Sequence, residues 1–186
     1  MLVEGDHERL QLLEQALVQA GHEIIAQLPG TNDLLSKVVA THPDIVLIDL
    51  AAPGPQSLAV IEQVARERPL PVVLFAPQSD FQTTRRALHA GVSAYVVGGL
   101  SAARINPVIE VAIARFEELQ SLKQELADTR LRLADRQDIE KAKGLLMQRR
   151  GMDEATAYKQ LRKMAMERNL KLGDAARAVL AAAELI

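Results

Sequence analysis

The sequence predicts an α/β fold, a doubly wound parallel sheet, followed by a long helix and a compact three-helix tail. Three observations predict it. Short, continuous apolar runs alternate with helix-period segments through the first hundred residues. From Ser101 a helical pattern then runs on for more than thirty residues without a strand signal. After that come three short amphipathic stripes separated by turn residues. Unbroken apolar runs mark strands buried on both faces, and strand and helix in strict turn mean βαβ units.

In chain order, "MLV" is a weak first strand and Glu8 to Ala20 the first helix. "HEIIAQ" is a weak second strand, followed by a helix over Asp33 to Ala40. Ile45 to Ile48 form a third strand that ends at Asp49, with a helix over Ser57 to Glu67. Val72 to Phe75 and Ala94 to Val97 are the fourth and fifth strands, with a helix at Phe81 to Ala90 between them. Five such units in about a hundred residues suggest the flavodoxin-like order 2-1-3-4-5, whose functional edge lies at the C-terminal strand ends. Those ends carry Glu4, Gly5 and Asp6, then Asp49, Ala76 and Gly98. Acids at the first and third ends are the residue type that holds Mg²⁺ through oxygen; Asp49 alone is equally a turn former.

Ser101 is the expected N-cap of the connector. Ile105, Ile109, Ala112, Phe116, Leu119, Leu126 and Leu133 follow a spacing of fours, threes and sevens, the seam of a coiled coil. The expectation is a dimerising helix over residues 101–135, with a helix folded back on the sheet as the alternative. In the tail, Ile139, Ala142 and Leu146 line a first helix that Gly151 ends, and Asp153 caps the next. Tyr158, Leu161 and Ala165 make its stripe, and Leu172, Ala176, Val179, Leu180 and Ala183 a third. Ala142, Gly144 and Ala157 are small enough for close helix approach.

Charge divides the chain. Residues 1–112 hold 7 Lys and Arg against 12 Asp and Glu, whereas residues 136–186 hold 11 against 7. The outward side of the tail keeps Lys143, Arg149, Arg150, Lys159, Arg162, Lys163, Arg168 and Lys171. Clustered cations on a small helical unit suit a phosphate backbone, but helix spacing does not separate RNA from a DNA-binding helix-turn-helix. With no cysteine, a disulfide scaffold, a thiolate metal site and a cysteine nucleophile are excluded. There is no signal-peptide pattern and no apolar run of the roughly 20 residues that cross a bilayer, so a cytoplasmic protein without membrane contact is expected. Scattered histidines, no phosphate-binding glycine loop and no nucleophile elbow leave no catalytic residue to name and no enzyme to expect.

The stretches "PDIVLIDLAAPG", "PVVLFAP" and "AGVSAYVVGGL" resemble a response-regulator receiver domain. The resemblance implies that Asp49 is the phospho-acceptor equivalent, with Glu4 and Asp6 as its acidic neighbours. It also exposes departures. Gly5 takes the place of the second acid, Ala76 that of a hydroxyl residue and Gly98 that of a lysine. A phosphoryl group on Asp49 then has few donors to pull, which implies a pseudo-receiver over residues 1–100, switched by a protein and without a required cofactor, Mg²⁺ included.

The segment "EKAKGLLMQRRGMDEATAYKQLRKMAMERNLKLGDAA" resembles the ANTAR domain, an RNA-binding antitermination module placed here at residues 136–186. Its matching elements are Ala142-Lys143-Gly144, Ala157 to Arg162 and Ala165 to Leu172. The whole chain is similar to ANTAR-domain antitermination regulators of the nitrate-regulatory NasT type and, more distantly, the amidase-regulatory AmiR type. The resemblance implies a homodimer that binds paired hairpins in leader mRNA, prevents the terminator and is held by a nitrate-sensing partner of the NasS type. It makes Ala142, Lys143, Gly144, Arg149, Arg150, Tyr158, Arg162, Lys163, Arg168, Asn169 and Lys171 the candidate RNA-contacting residues. Tyr158 can stack on a base, although its place on an apolar stripe favours the core; Asn169 can read a base edge or end a helix. The alternative function is a phosphorylated receiver with a DNA-binding output.

Overall fold

The computed structural model describes residues 1–98 and 104–184. Ser101, the expected cap of the connector, lies outside the described residues. The chain forms two compact units, residues 1–120 and 121–186.

The first unit alternates β1 (Leu2–Val3), α1 (His7–Gln19), β2 (Gln27–Leu28), α2 (Leu34–Thr41), β3 (Val46–Asp49), α3 (Pro55–Glu67), β4 (Val72–Ala76), α4 (Phe81–His89) and β5 (Ala94–Val97). The five strands are parallel in the order β2-β1-β3-β4-β5, as the alternation predicts. The second strand is shorter than "HEIIAQ" and starts at its last residue, spanning Gln27–Leu28, where only two residues pair with β1.

Alternate strand residues face opposite layers. Val3, Val46, Ile48, Val72 and Leu74 pack with Leu34 and Val38 of α2, Leu58, Ile61 and Val64 of α3, and Ala87 of α4. Leu2, Leu47, Val73 and Phe75 pack with Leu13 and Leu17 of α1 and with Ile105, Ile109 and Ala112. Those last three begin α5 (Ile105–Arg150), which is one continuous helix of 46 residues.

The coiled-coil seam is therefore corrected at its start. Ile105, Ile109 and Ala112 are 2%, 3% and 0% exposed and belong to the receiver core, so no second chain can reach them. A stripe stepping by fours and threes satisfies a sheet face as well as a partner helix; here the sheet takes its first turns. Phe116 is half-buried. Leu119, Leu126 and Leu133 are exposed, and so is Leu122, which the seven-residue spacing passed over.

The second unit packs the end of α5 with α6 (Glu154–Glu167) and α7 (Leu172–Glu184). Gly151 adopts φ 64 and closes α5, because a left-handed residue after a helix is cheapest as glycine. Asp153 then caps α6 by accepting from the Thr156 amide at 2.7 Å.

Candidate nucleic-acid interface

The core of the second unit is made mostly of small side chains: Ala142, Ala157, Ala165, Ala175 and Ala176, with Leu146, Leu161 and Val179. Small residues bring the three helices close and push long side chains outward. Ala142, expected at the RNA, is fully buried and is instead part of this core.

Lys143 departs further from expectation. It is 8% exposed, and its Nζ donates to Glu154 at 2.7 Å and lies 2.9 Å from Glu140. It ties α5 to the first turn of α6 and does not offer its charge to a phosphate. The bond to Glu154, then that to Glu140, holds the ammonium above the ordinary lysine value; Lys143 in turn holds the Glu154 carboxyl below its ordinary value. The Lys143 contribution to stability is complete below the unfolded lysine range and is lost as pH rises through the raised folded value. The Glu154 contribution is complete above the unfolded glutamate range and is lost as pH falls through the lowered folded value. Thermal melting from pH 5 to pH 3 is thus expected to fall less steeply in Lys143→Met than in the native chain. Parallel slopes would contradict the assignment.

Gly144 sits exposed on α5, and a Cβ built there would meet nothing within 4 Å. It does not serve helix approach inside the chain. Gly173 does serve a close approach: a methyl there would run into the Asp135 carboxylate. Asp135 accepts from Arg177 Nη1 at 2.7 Å, Asp138 from the same nitrogen at 3.3 Å, and Asp174 from Nη2 at 2.6 Å. The carboxylates of Asp135, Asp174 and Asp138 push the guanidinium further above its already high value. Gly173→Ala displaces Asp135 and is expected to cost about 1–3 kcal/mol, read as a lowered unfolding midpoint of the second unit. An unchanged midpoint would show that Asp135 swings aside freely.

Tyr158 is 42% exposed, and Ala157 takes the core position instead. The placement of Tyr158 in the core stripe is thereby corrected. Tyr158 shares its helix face with Arg162 and Met166, four and eight residues on. Arg162 is exposed and Met166 is 72% exposed. An aromatic ring, a guanidinium and a thioether in a row form a surface on which unstacked bases can lie. Met166 carries no charge and sits among basic residues, so it was not among the sequence candidates; its phase relative to Leu161 is the signal that finds it.

Beside this face, Lys159 and Lys163 are exposed, with Lys163 3.8 Å from Glu167. Arg149, Arg150 and Arg168 converge on a groove of about 240 Å³ floored by Leu145, Leu146, Met164 and Val179. Arg149 also donates to the Ala183 carbonyl at 3.0 Å. Asn169 adopts φ 53. Its amide donates to Met166 O at 3.2 Å, and the Leu170 amide to Ala165 O at 2.9 Å. That is a left-handed helix stop, so the backbone of Asn169 ends α6. Lys171 is exposed just before α7.

Residues 127–180 match the ANTAR domain, and residues 1–110 the response regulator receiver domain. The chain is 30% identical over 181 residues to the transcriptional regulatory protein PdtaR of Mycobacterium tuberculosis, covering 97% of this chain and 88% of that one. This chain is an ANTAR-domain response regulator. The regulator is also 48% identical over 63 residues to the nitrate regulatory protein of Klebsiella oxytoca, covering 34% of this chain and 16% of that one. Its fold is similar to a CheY-like receiver domain protein from Methanospirillum hungatei, with a TM-score of 0.55 at 19% identity, over 63% of this chain and 94% of that one.

At the receiver edge of this response regulator, Asp49 ends β3 and is 5% exposed. Glu4 is 8% exposed and turns back, its Oε1 accepting from the Asp6 amide at 2.7 Å. Asp6 is exposed. Ala76 closes β4 without a polar side chain, and Gly98 follows β5 at φ 95, a backbone that favours glycine over a long side chain. Among the described residues, no three His, Cys, Asp or Glu side chains gather as a metal site, and no helix is long and apolar enough to cross a membrane.

Proposed function

We propose that this regulator is an RNA-binding transcription antiterminator that grips paired hairpins in leader mRNA and keeps the terminator from forming. The observation that carries the reading is the exposed Tyr158, Arg162 and Met166 face on α6 of an ANTAR domain, flanked by Lys159, Lys163 and the Arg149, Arg150 and Arg168 groove. Aromatic and guanidinium planes take splayed loop bases, and the surrounding cations take phosphates. A duplex reader would instead need side chains aimed at stacked base edges.

The regulator works as a homodimer through the exposed leucines of α5, Leu119, Leu122, Leu126 and Leu133. Two tethered copies bind two linked hairpins with the gain of effective concentration. The receiver acts as a pseudo-receiver, since neither Ala76 nor Gly98 has a side-chain donor for a phosphoryl group on Asp49. A sensor protein controls it, and the nitrate regulatory protein among its relatives makes nitrate and nitrite assimilation genes the favoured targets.

Transcription in vitro through a leader with two hairpins and a terminator tests the reading. Added regulator should raise read-through, deletion of either hairpin should abolish the gain, and Leu126→Lys should reduce it. No effect on read-through at saturating regulator would refute antitermination.

A further inference from the structure

A cavity of about 760 Å³ lies in the receiver, between α3 and α4. Pro53, Pro55 and Leu58 give its lining an apolar part. At its mouth stands Phe81, 80% exposed, the first residue of α4. A phenylalanine left almost wholly in water beside an apolar lining marks an interaction surface.

The wall formed by α4 is cationic. Arg85, Arg86 and His89 line it, against Glu62 on α3. Residues 1–112 carry only 7 Lys and Arg against 12 Asp and Glu, so two of those seven cations stand together here. Such a patch on an otherwise acidic unit selects a partner of negative charge. Asp80, which caps α4 by accepting from the Thr83 amide and hydroxyl at 2.8 and 2.9 Å, keeps its negative charge and is attracted to Arg86. With Arg85 and Arg86 against this one carboxylate, α4 still presents an excess of positive charge.

The walls also choose the partner's shape. Both are helices, and no strand residue lines the groove, so strand addition has no backbone edge to use. A helix laid between two helices buries apolar residues at i, i+3, i+4 and i+7 against such a lining. We propose that the α3–α4 groove receives an acidic amphipathic helix of a partner protein. Its apolar stripe covers Phe81 and Leu58, and its carboxylates face Arg85 and Arg86. This site is independent of what the C-terminal unit binds. The loop that supplies Pro53 begins directly after Asp49, so the occupant would sit next to the receiver edge without needing chemistry there.

The test uses the full chain and a phage-displayed library of random 16-residue peptides, counter-selected against Phe81→Ala. Enriched peptides should be net acidic with large apolar residues at helical spacing. As synthetic fluorescent peptides they should bind at least tenfold more weakly to Phe81→Ala and to Arg85→Ala/Arg86→Ala, the double variant also losing salt dependence. All three side chains are exposed, so both variants should melt as the native chain does. The proposal is overturned by no enrichment, by neutral or basic winners, or by winners that bind the variants as tightly as the native chain. Sedimentation in which Phe81→Ala dissolves a self-association would assign the groove to a second copy and equally overturn it.

Discussion

Leu161→Ala is expected to unfold the second unit while leaving the receiver intact. Leu161 is 0% exposed and is the residue from this unit that ranks among the largest fully buried side chains of the chain. Five of the buried residues that share its core are alanines, Ala142, Ala157, Ala165, Ala175 and Ala176, whose side chains cannot swing in to fill the space. Truncating a buried leucine costs about 2–5 kcal/mol when the cavity persists. A core this small supplies only a few kcal/mol in all, so one truncation consumes most of it. Amide hydrogen exchange should rise sharply in α6 and α7 while β3 and β4 keep their protection. Unchanged protection in α6 would mean that the core does not depend on Leu161.

The second large effect falls on binding and spares folding. Replacing Arg162, Arg168 and Lys171 by alanine is expected to weaken binding to hairpin RNA by about 100-fold and to lower the slope of log affinity against log salt by roughly 2–3. All three side chains are exposed, and only the backbone of Arg168 takes part in ending α6. The thermal midpoint should therefore stay where it is. Lys143→Ala, in contrast, should lower the midpoint first, because it strips two carboxylates of their partner. A triple variant that binds RNA as tightly as the native chain would remove these cations from the interface.

Much of this architecture is legible in the residues. β3 and β4 are buried on both faces throughout, so their apolar runs are unbroken and their bounds shift by only one residue at most. β1 and β2 have two residues each, too few to carry a period. The helices of the second unit follow from Gly151, Asp153 and their stripes. What stays hidden is the identity of each helix's neighbour. Ile105, Ile109 and Ala112 show a seam, and nothing local tells a sheet from a partner chain. Lys143 looks like any surface cation because one of its carboxylates, Glu154, lies eleven residues away across a turn. Tyr158 and Ala157 differ by a single step of helical phase, about 100°, and small residues in the core invert the usual rule that the larger side chain goes inside.

The outward α6 face of the second unit is proposed to meet looped RNA. Equilibrium binding of the full chain to a two-hairpin RNA and to a DNA duplex of equal charge, in the same buffer across a salt series, tests it most directly. Binding to the RNA should be tight and salt-dependent and should weaken when Tyr158 and Arg162 become alanine, with much weaker binding to the duplex. Tight duplex binding with no grip on the hairpins would contradict the proposal.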